Sequence, residues 1–168
     1  DYVARTKEDG EIFDLTMEDV AKKEGIFKES NRYEPVLVVV GWNWLLEALE
    51  EGLVGMKEGE TKTIEVPPER GAGPYDPKKV KMIAKTKLIK MGVRIAKGEE
   101  VTLGSERGVI TQVLGRRARV DFNSPLAGKT LVFDVTVREI LTKTDAVIRA
   151  FVKRRIPGIL DERVNVSI

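Results

Sequence analysis

Cysteine and histidine are both missing from the 168 residues. Their absence excludes thiol nucleophiles, serine–histidine hydrolysis, the usual zinc sites and any disulfide. Whatever chemistry the chain performs rests on carboxylates, hydroxyls, aromatic rings, backbone groups or packing. Long apolar runs are missing too: the longest is Val36 to Val40, against the roughly 20 residues a membrane-spanning helix requires. The chain therefore reads as soluble, with no membrane partner. It opens on Asp1 rather than methionine, which fits a trimmed terminus and leaves open a lost targeting segment and an incomplete first strand. Aromatic residues are scarce at 6%, and Phe122 is the only one between Lys78 and Phe133.

What the chain has in quantity is charge, at 33% of residues, and an apolar fraction of 42% that suits one globular domain or two small ones. The net charge of +2 hides an asymmetry: residues 1–76 hold 9 basic and 18 acidic side chains, residues 77–168 hold 20 and 9. So abrupt a change of sign implies a domain boundary or a basic face for a polyanion.

Pattern places the elements. Tyr2 to Arg5 and Glu11 to Asp14 read as strands joined at Glu8-Asp9-Gly10, since Asp-Gly supplies a hairpin's positive φ. Thr16 and Asp19 resemble a capping box for a helix over 17–24, closed by Gly25. Val36 to Val40 reads as a buried strand, Leu45, Leu46, Leu49 and Leu53 as the apolar face of a helix over 44–54, and Thr61 to Val66 as a strand stopped by Pro67-Pro68. After the Gly71 to Pro77 loop, residues 78–97 carry eight basic side chains and no acid, with Thr86 placed to cap one turn ending at Gly92. Glu100 to Leu103, Val109 to Leu114 and Arg117 to Phe122 read as strands of a small β module. Leu131 to Leu141 returns as the last strand of the first module, Ala146 to Arg155 as a helix, and Arg163 to Ile168 as a further strand.

Several motifs reduce to ordinary structure. Gly71-Ala72-Gly73 lacks the Lys-Ser/Thr ending of a Walker loop and reads as a turn. The carboxylates of the 45–53 helix and Glu99-Glu100 fit solvated faces, with nothing to pair them as a glycosidase requires. The lysines and arginines of 78–119 could track a phosphate backbone, but without interleaved aromatics they fit a solvated surface better. Tyr2, Phe13, Val36, Leu45, Leu46, Leu49 and Phe133 lie on elements that should pack together, as core or as the wall of a site. Asp14, a carboxylate directly after Phe13, stands out: burial there demands a partner, and Tyr2 or Arg5 could supply it.

The stretches Tyr2-Val3-Ala4-Arg5, Asp9 to Asp14 (DGEIFD), Glu18 to Gly25 (EDVAKKEG), Gly55 to Gly59, Val66 to Glu69 (VPPE) and Val120 to Phe133 (VDFNSPLAGKTLVF) resemble archaeal FKBP-type peptidyl-prolyl isomerases of the long, SlyD-like kind. They extend over most of residues 1–141. The resemblance implies an α+β fold: a bent antiparallel sheet wrapped on a short helix, formed by 1–76 and 127–142. A small, mostly-β insert-in-flap domain over 77–126 interrupts it, and 143–168 would begin a C-terminal extension cut short. It implies a prolyl pocket built by Tyr2, Phe13, Asp14, Leu46 and Phe133, with Val36, Leu45 and Leu49 and, around the flap, Ala72 and Tyr75. Departures from the family pattern are Ala72 in place of an aromatic, Glu47-Ala48 in place of Pro-Gly, and Trp42 and Trp44 where small or polar residues are usual; Leu49 is ordinary for SlyD-like members.

The activity so implied is cis–trans isomerisation of Xaa-Pro bonds in unfolded or partly folded proteins by a cytoplasmic monomer without cofactor or metal, joined to folding-chaperone action. Met82, Ile83, Leu88 and Ile89 among the lysines would hold clients, since a Met-containing surface adapts to many partners. A peptide-binding chaperone with weak isomerase activity is the competing reading, and nucleic-acid binding by the basic insert a third.

Overall fold

The computed structural model describes residues 1–156, 159, 164 and 166. The hairpin expected at the start forms as β1 (Tyr2–Thr6) and β2 (Ile12–Leu15), with Gly10 in the left-handed region at φ 70°. Two short helices follow, α1 (Glu18–Lys23) and α2 (Glu47–Leu53), then β3 (Thr61–Val66). The next segment contains β4 (Val80–Ala84), α3 (Lys85–Lys90), β5 (Glu100–Leu103), β6 (Glu106–Leu114) and β7 (Arg117–Asp121). The chain closes with β8 (Leu131–Thr136) and α4 (Thr144–Arg155).

Contacts divide these elements into two compact units, Asp1–Arg70 with Thr130–Ile168, and Gly71–Lys129. The first holds an antiparallel sheet in the order β2-β1-β8-β3. Val66 pairs with Leu131, so the second unit is spliced into the connection between two hydrogen-bonded strands. The second holds its own antiparallel sheet, β4-β7-β6-β5. Its core is Ile83, Leu88, Val101, Ile110, Ala118, Val120 and Phe122. The unit begins and ends a few residues outside the expected 77–126, because the Gly128 N–H donates to the Gly73 carbonyl and the Asn123 side chain bridges to Asp76. The fold is mixed α+β, with antiparallel sheets and a short helix against one of them. Among the described residues no helix is long and apolar enough to cross a membrane.

Five local expectations need correction. Val36 to Val40 forms no strand: Val36 and Val40 are exposed, the Val39 carbonyl accepts from the Trp42 N–H, and the Leu37 carbonyl accepts from Arg154. Thr16 caps nothing, because its hydroxyl bonds Asp1 and accepts the Tyr2 N–H while Met17 occupies the cap. Thr86 lies inside α3, whose cap is Ala84. α2 starts three residues later than expected, leaving Leu45 and Leu46 in the preceding loop. β4, unforeseen, pairs with β7 and buries Ile83. The strand expected over Arg163 to Ile168 lies outside the described residues.

Candidate active site

β1 and β8 bring together residues far apart in sequence. Ala4 opposes Phe133, and Phe133 in turn opposes Ile64 on β3. Directly opposed residues share a sheet face, so Ala4, Phe133 and Ile64 point the same way. α2 covers that face. Its approach is so close that a Cβ on Gly52 would sit 2.4 Å from Ile64 Cδ1, and only glycine fits without moving the isoleucine. Lys62 on β3 donates to the Gly52 carbonyl, placing a cation at the C-terminal end of α2.

Phe13 reaches the cluster through an irregularity. Ala4 pairs with Asp14 and Arg5 with Ile12, so Phe13 is an extra residue bulged out of β2. A bulge re-aims a side chain. Here the Phe13 ring meets Phe133 edge-on at 5.9 Å between centroids and 87°, while Tyr2 tilts against Phe133 at 6.1 Å. These are favourable quadrupole geometries. Phe133 is buried, and Tyr2 and Phe13 are half-buried.

Asp14, next to the bulge, accepts the Tyr2 hydroxyl at 2.6 Å through Oδ2, and its Oδ1 accepts the Leu15 N–H. The expected partner is thus Tyr2. Arg5 pairs with Asp134 at 2.9 Å instead. Asp14 is exposed rather than buried, so it presents a carboxylate at the rim of the ring cluster. Burial first, and then the bond to Asp14 and its charge, push the Tyr2 phenol far above its usual range, so Tyr2 stays a neutral donor.

The loop leading into α2 is shaped by Glu50. Its Oε2 accepts the N–H groups of Gly41 and Asn43, and its Oε1 those of Trp44 and Leu45. Only 4% exposed, Glu50 is not on a solvated face. Four donors in one bend hold its carboxyl below the usual range, the Leu45 bond contributing most, with burial opposing. Asn43 takes a left-handed φ of 53° there, a conformation asparagine adopts more readily than most residues. Glu50 thereby places Leu45 and Leu46, both half-buried, at the N-terminal end of α2, one turn before the buried Leu49. Sequence reasoning missed it, although its spacing of four from Leu46 and three from Leu53 puts it on the apolar face.

The remaining site candidates belong to the second unit. Ile83 and Leu88 lie in its core and offer no surface to a client. Met82 and Ile89 are exposed. Tyr75 donates its hydroxyl to Asp121, while Ala72 sits in the loop that enters the unit. A depression of about 460 Å³ lined by Lys85, Thr86, Arg116 and Arg117 contains none of the expected site residues. Among the described residues no cluster of acidic side chains could hold a metal.

Comparison with known proteins assigns the family. The family model for FKBP-type peptidyl-prolyl cis-trans isomerase matches residues 1–138. A short-type peptidyl-prolyl cis-trans isomerase of Methanocaldococcus jannaschii is 34% identical over 140 residues, covering 83% of this chain and 88% of that protein. The FKBP-type 16 kDa peptidyl-prolyl cis-trans isomerase of Escherichia coli K12 is 32% identical over 132 residues, 76% of this chain and 87% of its own length. SlyD of Treponema pallidum is 33% identical over 113 residues, 64% of this chain and 62% of that protein. The chain belongs to the FKBP-type peptidyl-prolyl cis-trans isomerase family.

Proposed function

We propose that the Tyr2–Phe13–Phe133 cluster is the prolyl site of this isomerase, with Asp14 at its rim and Val36, Leu45, Leu46 and Leu49 as the remaining wall. The observation that carries the reading is the bulge that turns Phe13 onto Phe133 while leaving Asp14 bonded to the Tyr2 hydroxyl. It supplies a ring-lined face for a proline and a fixed polar edge beside it.

Rotation about Xaa-Pro requires no nucleophile and no proton transfer. The barrier is amide resonance, about 18–20 kcal/mol, and the uncatalysed exchange takes tens to hundreds of seconds. A twisted amide has lost part of its resonance dipole. An apolar site therefore costs it less than the planar ground state, and that difference is what accelerates rotation. In this reading Phe13, Phe133 and the leucines hold the ring, and Asp14 fixes the Tyr2 hydroxyl so that it faces a constant direction. A protease-coupled assay on a proline peptide tests the assignment. Acceleration by the wild type that falls in both Phe13→Ala and Asp14→Ala supports it; equal rates in all three proteins would assign the activity elsewhere.

A second function rests on the second unit. Met82, Ile89, Met91, Val113 and Leu114 are all exposed there among lysines and arginines, Ile89 to 62%. So much apolar surface within a cationic field suits unfolded, acidic client segments. We propose on this ground that the unit is a client-holding insert of the long, SlyD-like kind. If Met82→Ser with Ile89→Ser weakens suppression of aggregation but spares turnover of short peptides, the unit holds clients; unchanged suppression would remove that role. Binding to RNA or DNA that declines steeply with salt would instead identify the basic surface as a nucleic-acid site.

A further inference from the structure

The segment 36–46 carries three of the proposed wall residues, Val36, Leu45 and Leu46, without belonging to either sheet. Glu50 holds its last turn from within. A second hold comes from α4. Phe151 lies 5.8 Å from Trp42 and 5.7 Å from Trp44, whose own centroids are 5.4 Å apart, so three rings close into a triangle. One turn along, on the same helix face, the Arg154 guanidinium sits 3.9 Å over the Trp44 ring and donates to the Leu37 carbonyl at 3.2 Å. α4 thus touches this segment at both ends, next to Val36 through Leu37 and next to Leu45 through Trp44. It explains the two tryptophans that break the family pattern: they are the loop's half of a docking contact.

We infer that α4 is a clamp on the prolyl site, with Phe151 and Arg154 as positioning residues that set the 36–46 segment without touching the peptide. The inference rests on the isomerase reading above. A segment freed from its clamp spends only part of its time in the binding-competent arrangement, and apparent affinity falls by that fraction while the chemistry of the bound state is unchanged. The expected signature is therefore a raised KM at constant kcat. A merely structural helix would lower the amount of active protein, and hence apparent kcat, leaving KM alone.

The test uses the whole chain and the fact that Trp42 and Trp44 are its only tryptophans. In Phe151→Ala, tryptophan emission should shift to the red and acrylamide quenching rise. In NMR exchange titrations with a proline peptide, KM should rise about three- to tenfold with kcat within about twofold, corresponding to a competent fraction of roughly a tenth to a third. Phe151→Tyr should restore both readouts, and Arg154→Ala should reproduce the effect more weakly. Unchanged emission, or changed emission with unchanged KM, would overturn the clamp. Absence of catalysis by the wild type would overturn the isomerase reading by itself. The clamp is then judged from amide exchange at residues 41–46, faster in Phe151→Ala if α4 holds the segment and unaltered if it does not.

Discussion

The second unit gathers its buried apolar side chains into one cluster around Leu88 and Ile110, and none of the buried polar side chains among the described residues belongs to it. The first unit buries Thr6, Thr16 and Glu50, and its 36–46 segment is held by a carboxylate and an aromatic triangle. Packing alone sets the shape of a small β module, because apolar residues alternating along neighbouring strands specify register and face together. An irregular segment cannot satisfy its backbone that way. Its N–H groups require acceptors, and Glu50 supplies them for four residues at once. The difference separates a unit shaped by packing from one whose irregular segment is shaped by polar and aromatic contacts.

Truncating Leu88 to alanine should give the largest change, about 2–5 kcal/mol of lost stability in the second unit. Hydrogen exchange should show it confined to residues 71–129, while short-peptide isomerisation stays within about twofold. Spread of the loss into β1 and β8 would break the distinction between the units. Phe13→Ala should cost about 10- to 100-fold in kcat/KM, the worth of one aromatic side chain packed against the reacting group, with little change in exchange across the second unit. Tyr2→Phe removes one hydrogen bond, worth about two- to tenfold in kcat/KM. An alkaline absorbance titration of that variant should lack a phenol that ionises well above 10 in the wild type.

Glu50 gives a pH dependence with a defined sign. Its carboxyl is held below the ordinary value of 4.5, so its contribution is complete above that pH and disappears as pH falls through the lower folded value. Wild type and Glu50→Gln should therefore differ most in denaturant midpoint at neutral pH and converge under acid. A constant gap across that range would mean that the charge on Glu50 does not hold the loop.

Much of this architecture was readable from the residues, and the failures share a cause. The Asp-Gly turn located β1 and β2, alternation located β3 and the start of β8, and helical spacing located α2 and α4. β4 escaped because only Ile83 of its five residues is buried while the apolar Met82 and Ala84 on either side of it are exposed, leaving no alternation to see. Val36 to Val40 looked like a strand because β-branched residues favour one, yet propensity is overridden where the chain must turn back onto α2. Thr16 had the residue type of a cap but a stronger partner in β1. In the candidate site, Tyr2, Phe13, Asp14 and Phe133 could be named in advance, whereas the bulge that joins them depends on pairing between strands. Phe151 and Arg154 contact a loop far away in sequence, and no local pattern announces that, whereas Glu50 was legible from its place on the apolar face of α2.

The central claim is that proline is held by the rings of the first unit, and intermolecular NOEs between a saturating Xaa-Pro peptide and the wild-type protein test it most directly. Contacts from the proline ring protons to the Tyr2, Phe13 and Phe133 rings are the predicted result. Contacts only to Met82, Ile89 and their neighbours in the second unit would contradict it.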